Sequence, residues 1–97
     1  MAQFDVHRLG DGLVLDCQSD LLNHIASRLV APLVPITDAP KPVRRLNPVF
    51  LIEGEEHVMI TEASGAVRTH QLGPVVASLA DHSFEITDAL DVLISGV

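Results

Sequence analysis

The side chains able to do chemistry are five histidines (His7, His24, His57, His70 and His82), a single cysteine (Cys17) and a run of carboxylates at Glu53, Glu55 and Glu56. Zinc motifs need His or Cys pairs at short, fixed spacing, so that two ligands reach one ion from the same turn or helix face. No histidine here pairs in that way with another or with Cys17. A lone cysteine cannot form an internal disulfide, and Cys17 lies in an apolar extended pattern, which reads as a small buried core residue rather than a nucleophile. The three glutamates flank Gly54 in a turn with no histidine ordered beside them, the pattern of a solvated loop rather than a metal site or an acid/base pair. A G-x-S-x-G elbow and a glycine loop able to cradle phosphate are both lacking. The residues therefore read as a non-enzymatic binding module, with no catalytic residue, no metal ligand set and no cofactor.

The totals narrow the class further. Ninety-seven residues make one domain, 1–97, and 47% hydrophobic with 3% aromatic content and no Trp or Tyr means a core of Val, Leu, Ile and Ala. A formal net charge of −7 repels phosphate backbones, so unaided DNA or RNA binding is disfavoured. Apolar runs stay short of the roughly 18–20 residues a membrane span needs. The opening residues do not form a leader with a basic and then an apolar part. A cytoplasmic protein without membrane contact is the expectation.

The elements that must position any binding surface follow from periodicity. Gln3 to Arg8 alternates with period two, Leu9-Gly10-Asp11-Gly12 supplies a turn, and Leu13 to Cys17 resumes an extended pattern, a hairpin. Gln18 to His24 reads as an irregular connection with Leu21 and Leu22 half exposed. Arg28 to Val34 is nearly all apolar and reads as a strand buried on both faces, with Pro32 favouring a sheet edge or a bulge. Between Pro35 and Pro48 four prolines exclude a regular helix and three of the six basic residues cluster, Lys41, Arg44 and Arg45. That cluster is either a solvated loop or a docking patch for an acidic partner. Pro48 to Ile52 and His57 to Thr61 form the clearest hairpin, expected at the sheet centre. Ala66 to Leu72 reads as a further strand with one wet face, and Gly73 to Ala80 as a short helical turn.

The C-terminal stretch, Ser83 to Val97, carries apolar residues at helical spacing: Ile86, Ala89 or Leu90, Leu93 and Val97. Ser83 is placed to cap it, with Glu85 and Asp88 in the first turn where the dipole favours negative charge. Gly96 breaks the helix just before the end. Such an end is either a frayed tail or a probe offered to a partner.

The ordered set of residues resembles the CcdB family, toxins of type II toxin–antitoxin pairs. The likeness rests on Gln3-Phe4-Asp5-Val6, on Leu15-Asp16-Cys17-Gln18-Ser19-Asp20-Leu21-Leu22, and on Arg28-Leu29-Val30-Ala31-Pro32-Leu33. It continues through Leu46-Asn47-Pro48-Val49, the hairpin Ile52-Glu53-Gly54-Glu55 and a terminal helix ending aliphatic–X–Gly–aliphatic. The resemblance implies a mainly β fold, an SH3-like (CcdB/MazF-type) small barrel of antiparallel strands with a C-terminal α-helix, assembled as a homodimer. It further implies a toxin that binds the DNA gyrase A subunit and traps the gyrase–DNA cleavage complex. The gyrase-facing residues would then be Leu21, Leu22, Asp91, Ile94, Ser95, Gly96 and Val97. A cognate CcdA-like antitoxin would neutralise it, with DNA reached only through the antitoxin complex in autoregulation of transcription. In the family the first hairpin helps to hold the antitoxin, which here means Arg8 and Asp11, and the Pro-rich basic segment offers Arg44 and Arg45.

Three departures stand out. Gyrase poisons of the family carry Trp before the final glycine, where this chain has Ser95, and losing a buried aromatic anchor costs about 2–4 kcal/mol of binding. Asp91 stands where a neutral amide is common. The first hairpin loop is shorter than the family's and lacks its basic residues. Two alternatives follow: a fold relative that is retargeted or no longer poisons gyrase, and an RNA endoribonuclease of the MazF/Kid type, against which the acidic balance argues.

Overall fold

In the computed structural model, which describes residues 2–96, strand β1 (Asp5–Leu9) turns into β2 (Gly12–Asp16) with Leu9 paired to Gly12. Only Gly10 and Asp11 lie between them, and Gly10 takes φ +59°, the conformation a two-residue hairpin demands. The third strand, β3 (Ser27–Pro35), is the longest and carries the sheet. One side of it pairs with β2 from Val30 to Leu33. Its other side is shared, with β6 (Gly65–Arg68) along Ser27 to Val30 and β5 (Glu55–Met59) along Leu33 to Pro35. Strand β4 (Val49–Ile52) pairs with β5, and β7 (Val75–Ser78) pairs with β1, giving the order β4-β5-β3-β2-β1-β7. All pairings are antiparallel, and the sheet curls into a half-barrel closed by helix α1 (Ser83–Ser95).

Alternation along the strands builds one core. Val6, Leu15, Ala31, Leu33, Phe50, Ile52 and Met59 point into the curl, where Ile86 of α1 meets them. As the composition requires, the filling is aliphatic, with Phe4 and Phe50 the only buried phenyl rings among the described residues.

The structure differs from the periodicity reading at four places. Pro32 lies in the central strand, not at an edge. Its missing N–H is tolerated because β6 ends at Val30 and β5 begins at Leu33, so Pro32 falls in the break between two ladders. β4 is an edge strand rather than central, because among the described residues only β5 flanks it. Gly73 to Ala80 holds β7 rather than a helical turn: β-branched Val75 and Val76 follow Pro74, and the edge of β1 is available to pair. The strand after Gly65 ends at Arg68 and passes into a single 3-10 turn, Thr69–Gln71.

β7 is brought to β1 by a close crossing. The Gly73 amide donates to the Arg8 carbonyl at 2.7 Å, and the Arg8 amide donates to the Pro74 carbonyl at 3.1 Å. A Cβ on Gly73 would sit 2.8 Å from the Arg8 oxygen. Gly73→Ala is therefore expected to destabilise the fold by about 1–3 kcal/mol through overpacking, read as a lower midpoint of urea unfolding; an unchanged midpoint would show that the crossing gives way freely.

Candidate binding surfaces

The dileucine pair is held out on a scaffold of buried polar bonds. Asp16 and Arg28 are both fully buried, at 0% and 1% exposure. Asp16 Oδ2 accepts from Arg28 Nη2 at 2.7 Å and from Nε at 3.0 Å, while Oδ1 accepts from the Gln18 amide at 3.1 Å. The guanidinium also donates to the Gln18 carbonyl at 3.3 Å and to Asn23 Oδ1. Its charge and donors are thus met from several directions, the condition under which a buried ion pair is tolerated. The Gln18 side chain adds three bonds, accepting from the Leu29 amide and donating to the Leu22 and Ser27 carbonyls. Between these anchors the chain makes one 3-10 turn, Asp20–Leu22, which Ser19 caps through its hydroxyl to the Leu21 amide at 3.2 Å. The turn pushes Leu21 into solvent at 87% exposure, with Leu22 at 42%. The reading of both as half exposed understated Leu21.

Helix α1 presents the second apolar group. Ile86 and Ala89 are buried against the core, Leu90 and Val92 are half-buried, and Ile94 near the tip is 82% exposed. Ser83 does not cap the helix. It is already helical, His82 stands at the cap position without a capping side-chain bond, and the Ser83 carbonyl accepts from the Thr87 hydroxyl. At the other end Gly96 adopts φ +74° and donates its amide to the Val92 carbonyl at 2.9 Å. Only glycine takes that left-handed cap without strain. Ser95 turns its hydroxyl back onto the Asp91 carbonyl at 2.7 Å, so its one polar group is spent on the helix itself. Asp91 is exposed, and Val97 lies outside the described residues. The helix packs on the turns Thr61–Ala63 and Ala80–His82, so the tip and the Asp20–Leu22 turn are presented by separate elements.

The four basic-loop and hairpin residues fall into two places. Arg8 and Asp11 line one side of a cleft of about 330 Å³ whose other side is the β4–β5 turn, and Arg8 pairs loosely with Glu53 at 3.7 Å. Glu53 and Gly54 both take positive φ, forming a tight hairpin, and His57 is buried behind Glu55. The three glutamates of this turn are exposed, as the solvated-loop reading expects, while the His57 ring beside them is bonded through Nδ1 to the Glu55 carbonyl at 3.0 Å. Arg44 is exposed on the Pro-rich segment. Arg45 next to it forms a two-pronged pair with Asp88 of α1, at 2.7 and 3.0 Å. That segment is pinned at its end by Asn47, buried, which donates to the Met59 carbonyl and to Glu62 and accepts from the Val43 amide.

Cys17 is buried and its thiol is pushed up to about 12, by burial first and by neighbouring Asp16 second, which makes it inert as a nucleophile. Asp16, Gln18, Arg28 and Asn47, which enter the sequence reading only as carriers of the resemblance and with no role of their own, turn out to hold the surfaces in place. Their signal was a charged or amide side chain at an inward position of an apolar strand or at its end.

Two outcomes test this scaffold. Arg28→Met leaves Asp16 charged and unpaired in the interior and is expected to cost about 3–5 kcal/mol, whereas the double variant with Asp16→Leu regains much of that loss; urea unfolding of the cycle measures both. The Arg45 bond first, and its charge as well, holds the Asp88 carboxyl below the ordinary 3.8. A depressed carboxyl contributes stability above its unfolded value and loses it as pH falls through the folded one. Carbon-detected NMR titration should find Asp88 titrating below 3.8, and Arg45→Ala should return it to that value.

Comparison with solved structures finds the same fold in proteins described as endoribonucleases and as a toxin. An endoribonuclease in complex with its cognate antitoxin from a mycobacterial species superposes with TM-score 0.80 at 13% identity, covering 97% of this chain and 94% of that one. A second mycobacterial endoribonuclease gives 0.80 at 12%, covering 97% and 90%, and an Mtb toxin gives 0.77 at 12%, covering 91% and 98%. At such identities the likeness is one of fold. Comparison with curated proteins by sequence finds no match. The family model described as CcdB protein matches residues 3–96, and the chain belongs to the CcdB family.

Proposed function

We propose that this chain is the toxin of a type II toxin–antitoxin pair, acting by binding rather than by catalysis, with the gyrase A subunit as target. The observation that carries the reading is the pair of exposed aliphatic probes, Leu21 and Ile94, each held on a rigid support in a chain of the CcdB family. Exposed aliphatic side chains on ordered elements are what a protein partner can bury at low entropic cost. The proposed gyrase-facing set is Leu21, Leu22, Asp91, Ile94, Ser95, Gly96 and Val97, used from both subunits of a homodimer. Arg8, Asp11, Arg44 and Arg45 are the proposed antitoxin contacts, the last in exchange with Asp88. DNA is reached only through the antitoxin complex. With Ser95 folded back on Asp91, the aliphatic groups carry the contact without an aromatic anchor, and binding weaker than that of a Trp-bearing toxin is expected.

A second reading, endoribonuclease, is supported by the fold likeness to proteins described in that way. The acidic balance of this chain opposes it.

One set of assays separates them. Purified protein with gyrase, ATP and supercoiled plasmid should accumulate cleaved DNA, Leu21→Asp and Ile94→Asp should each lower the yield about tenfold or more, and Ser95→Trp should raise it. Cleaved DNA at the same level with both aspartate variants removes the proposed surface. Site-specific cutting of single-stranded RNA by the same preparation, with gyrase unaffected, favours the second reading.

A further inference from the structure

Among the described residues β4, β6 and β7 each leave one side without a neighbouring strand. A free side offers unpaired amides and carbonyls to any other chain, and proteins blunt it with charge, a bulge or a cap. β7 is bulged, its register to β1 shifting between Val6 and His7. β6 ends on the charged Arg68, whose amide is already given to Gln71 Oε1 at 3.0 Å. β4 has none of these devices. Its sequence is Val-Phe-Leu-Ile, with Val49 and Leu51 37% and 69% exposed while Phe50 and Ile52 fill the core. The ladder fixes where its backbone points. The Met59 amide donates to the Pro48 carbonyl at 2.9 Å, and Val49 lies opposite Val58. Antiparallel ladders alternate, so Phe50 and Ile52 bond to β5, whereas Val49 and Leu51 turn both amide and carbonyl outward.

We propose that β4 is a self-association edge, pairing antiparallel with β4 of a second copy of this chain. The two outward residues flank Phe50, so a two-fold axis at Phe50 sets Val49 against the partner's Leu51 and Leu51 against the partner's Val49. Each of these pairs exchanges amide and carbonyl in both directions, which meets the outward groups of both residues without a change in the fold. The same register lays the exposed side chains of Val49 and Leu51 side by side, an aliphatic cross-strand pair. Charge selects this direction. β4 is entered from the basic segment of Lys41 and Arg44 and left through Glu53, Glu55 and Glu56, all of them exposed. Antiparallel pairing brings the basic end of each copy toward the acidic end of the other, whereas parallel pairing sets glutamates beside glutamates. A strand that carries its own complement in hydrogen bonding, shape and charge favours a second copy over an unrelated segment. The seam is short and buries less than the roughly 1,200 Å² of stable interfaces, so a Kd of about 0.1 mM is expected. It uses neither Leu21 nor α1, goes beyond the toxin reading and does not rest on the homodimer in it; homodimers joined through another surface would be linked to one another by this seam.

Sedimentation equilibrium and NMR on the isotope-labelled full chain test this, over concentrations from about 10 μM to 1 mM at about 0.15 M salt, where long-range repulsion between the acidic chains is screened. The weight-average mass should rise across that range. Over the same range the Val49 and Leu51 amides should shift and slow in hydrogen exchange, while those of Phe50 and Ile52, already bonded to β5, keep their rates. Leu51→Lys sets a charge in the seam at an exposed position and should weaken the association about tenfold or more at an unchanged urea midpoint. Leu21→Asp and Ile94→Asp should leave this step as it is, which separates it from contacts made through the proposed gyrase-facing surface. A constant mass, concentration shifts confined to α1 or the Asp20–Leu22 turn, or an association that Leu51→Lys leaves untouched would each overturn the proposal. So would Val49 and Leu51 amides that respond to a capped Thr-Val-Thr-Val-Thr peptide but not to the chain's own concentration, the mark of a different strand as occupant.

Discussion

A carboxylate and a guanidinium enclosed together, Asp16 with Arg28, set the conditions for much of what surrounds them. A buried pair is retained only when its remaining lone pairs and protons are satisfied, so the chain near it must come back to provide them. It does so through the Gln18 amide and carbonyl and through Asn23, and those bonds fix the path from the end of β2 to the start of β3. The 3-10 turn with Leu21 at its crest is what remains of that path once both ends are tied. An exposed leucine is thereby pre-organised by groups that never touch a partner, which removes part of the ordering cost of binding.

Helix α1 is anchored by a different means. Its inner face is small and aliphatic: Ile86 and Ala89 are fully buried where it sits over the open side of the half-barrel, and Leu90 packs against the core beside them. The Arg45–Asp88 pair adds a tie on the solvent side, exposed and open to screening by salt, between the Pro-rich segment and the helix. The two surfaces thus differ in kind: the leucine turn rests on a buried ion pair and its hydrogen bonds, the helix on buried aliphatic contacts with an exposed ion pair added.

Much of this was legible from residue order. The alternations around Val6 and Leu15, the Glu53-Gly54 turn and the Ile86 to Leu93 periodicity gave the hairpins and the helix, because in each a single face is buried and the period shows it. The misreadings have one physical root. Whether a strand is central or at an edge depends on which neighbours arrive from far along the chain, and this placed β4 at the margin and Pro32 in the middle. β7 was missed for the same reason, since Val75 and Val76 extend only because β1 offers them an edge. At the surfaces, exposed Leu21 and Ile94 could be named by resemblance, but the polar web under Leu21 and the histidine behind Glu55 could not, since hydrogen bonds between distant residues leave no period.

The break at Pro32 has a mechanical meaning. β3 is one continuous strand, yet on one side it is sewn first to β6 and then to β5, with a residue that cannot donate standing between the two seams. Two sub-sheets therefore share a single backbone and meet where that side's ladder lapses. Opening of the β4–β5 wing does not have to unzip β6, and each can exchange its amide hydrogens on its own schedule. The molecule is in this sense two leaves on one spine.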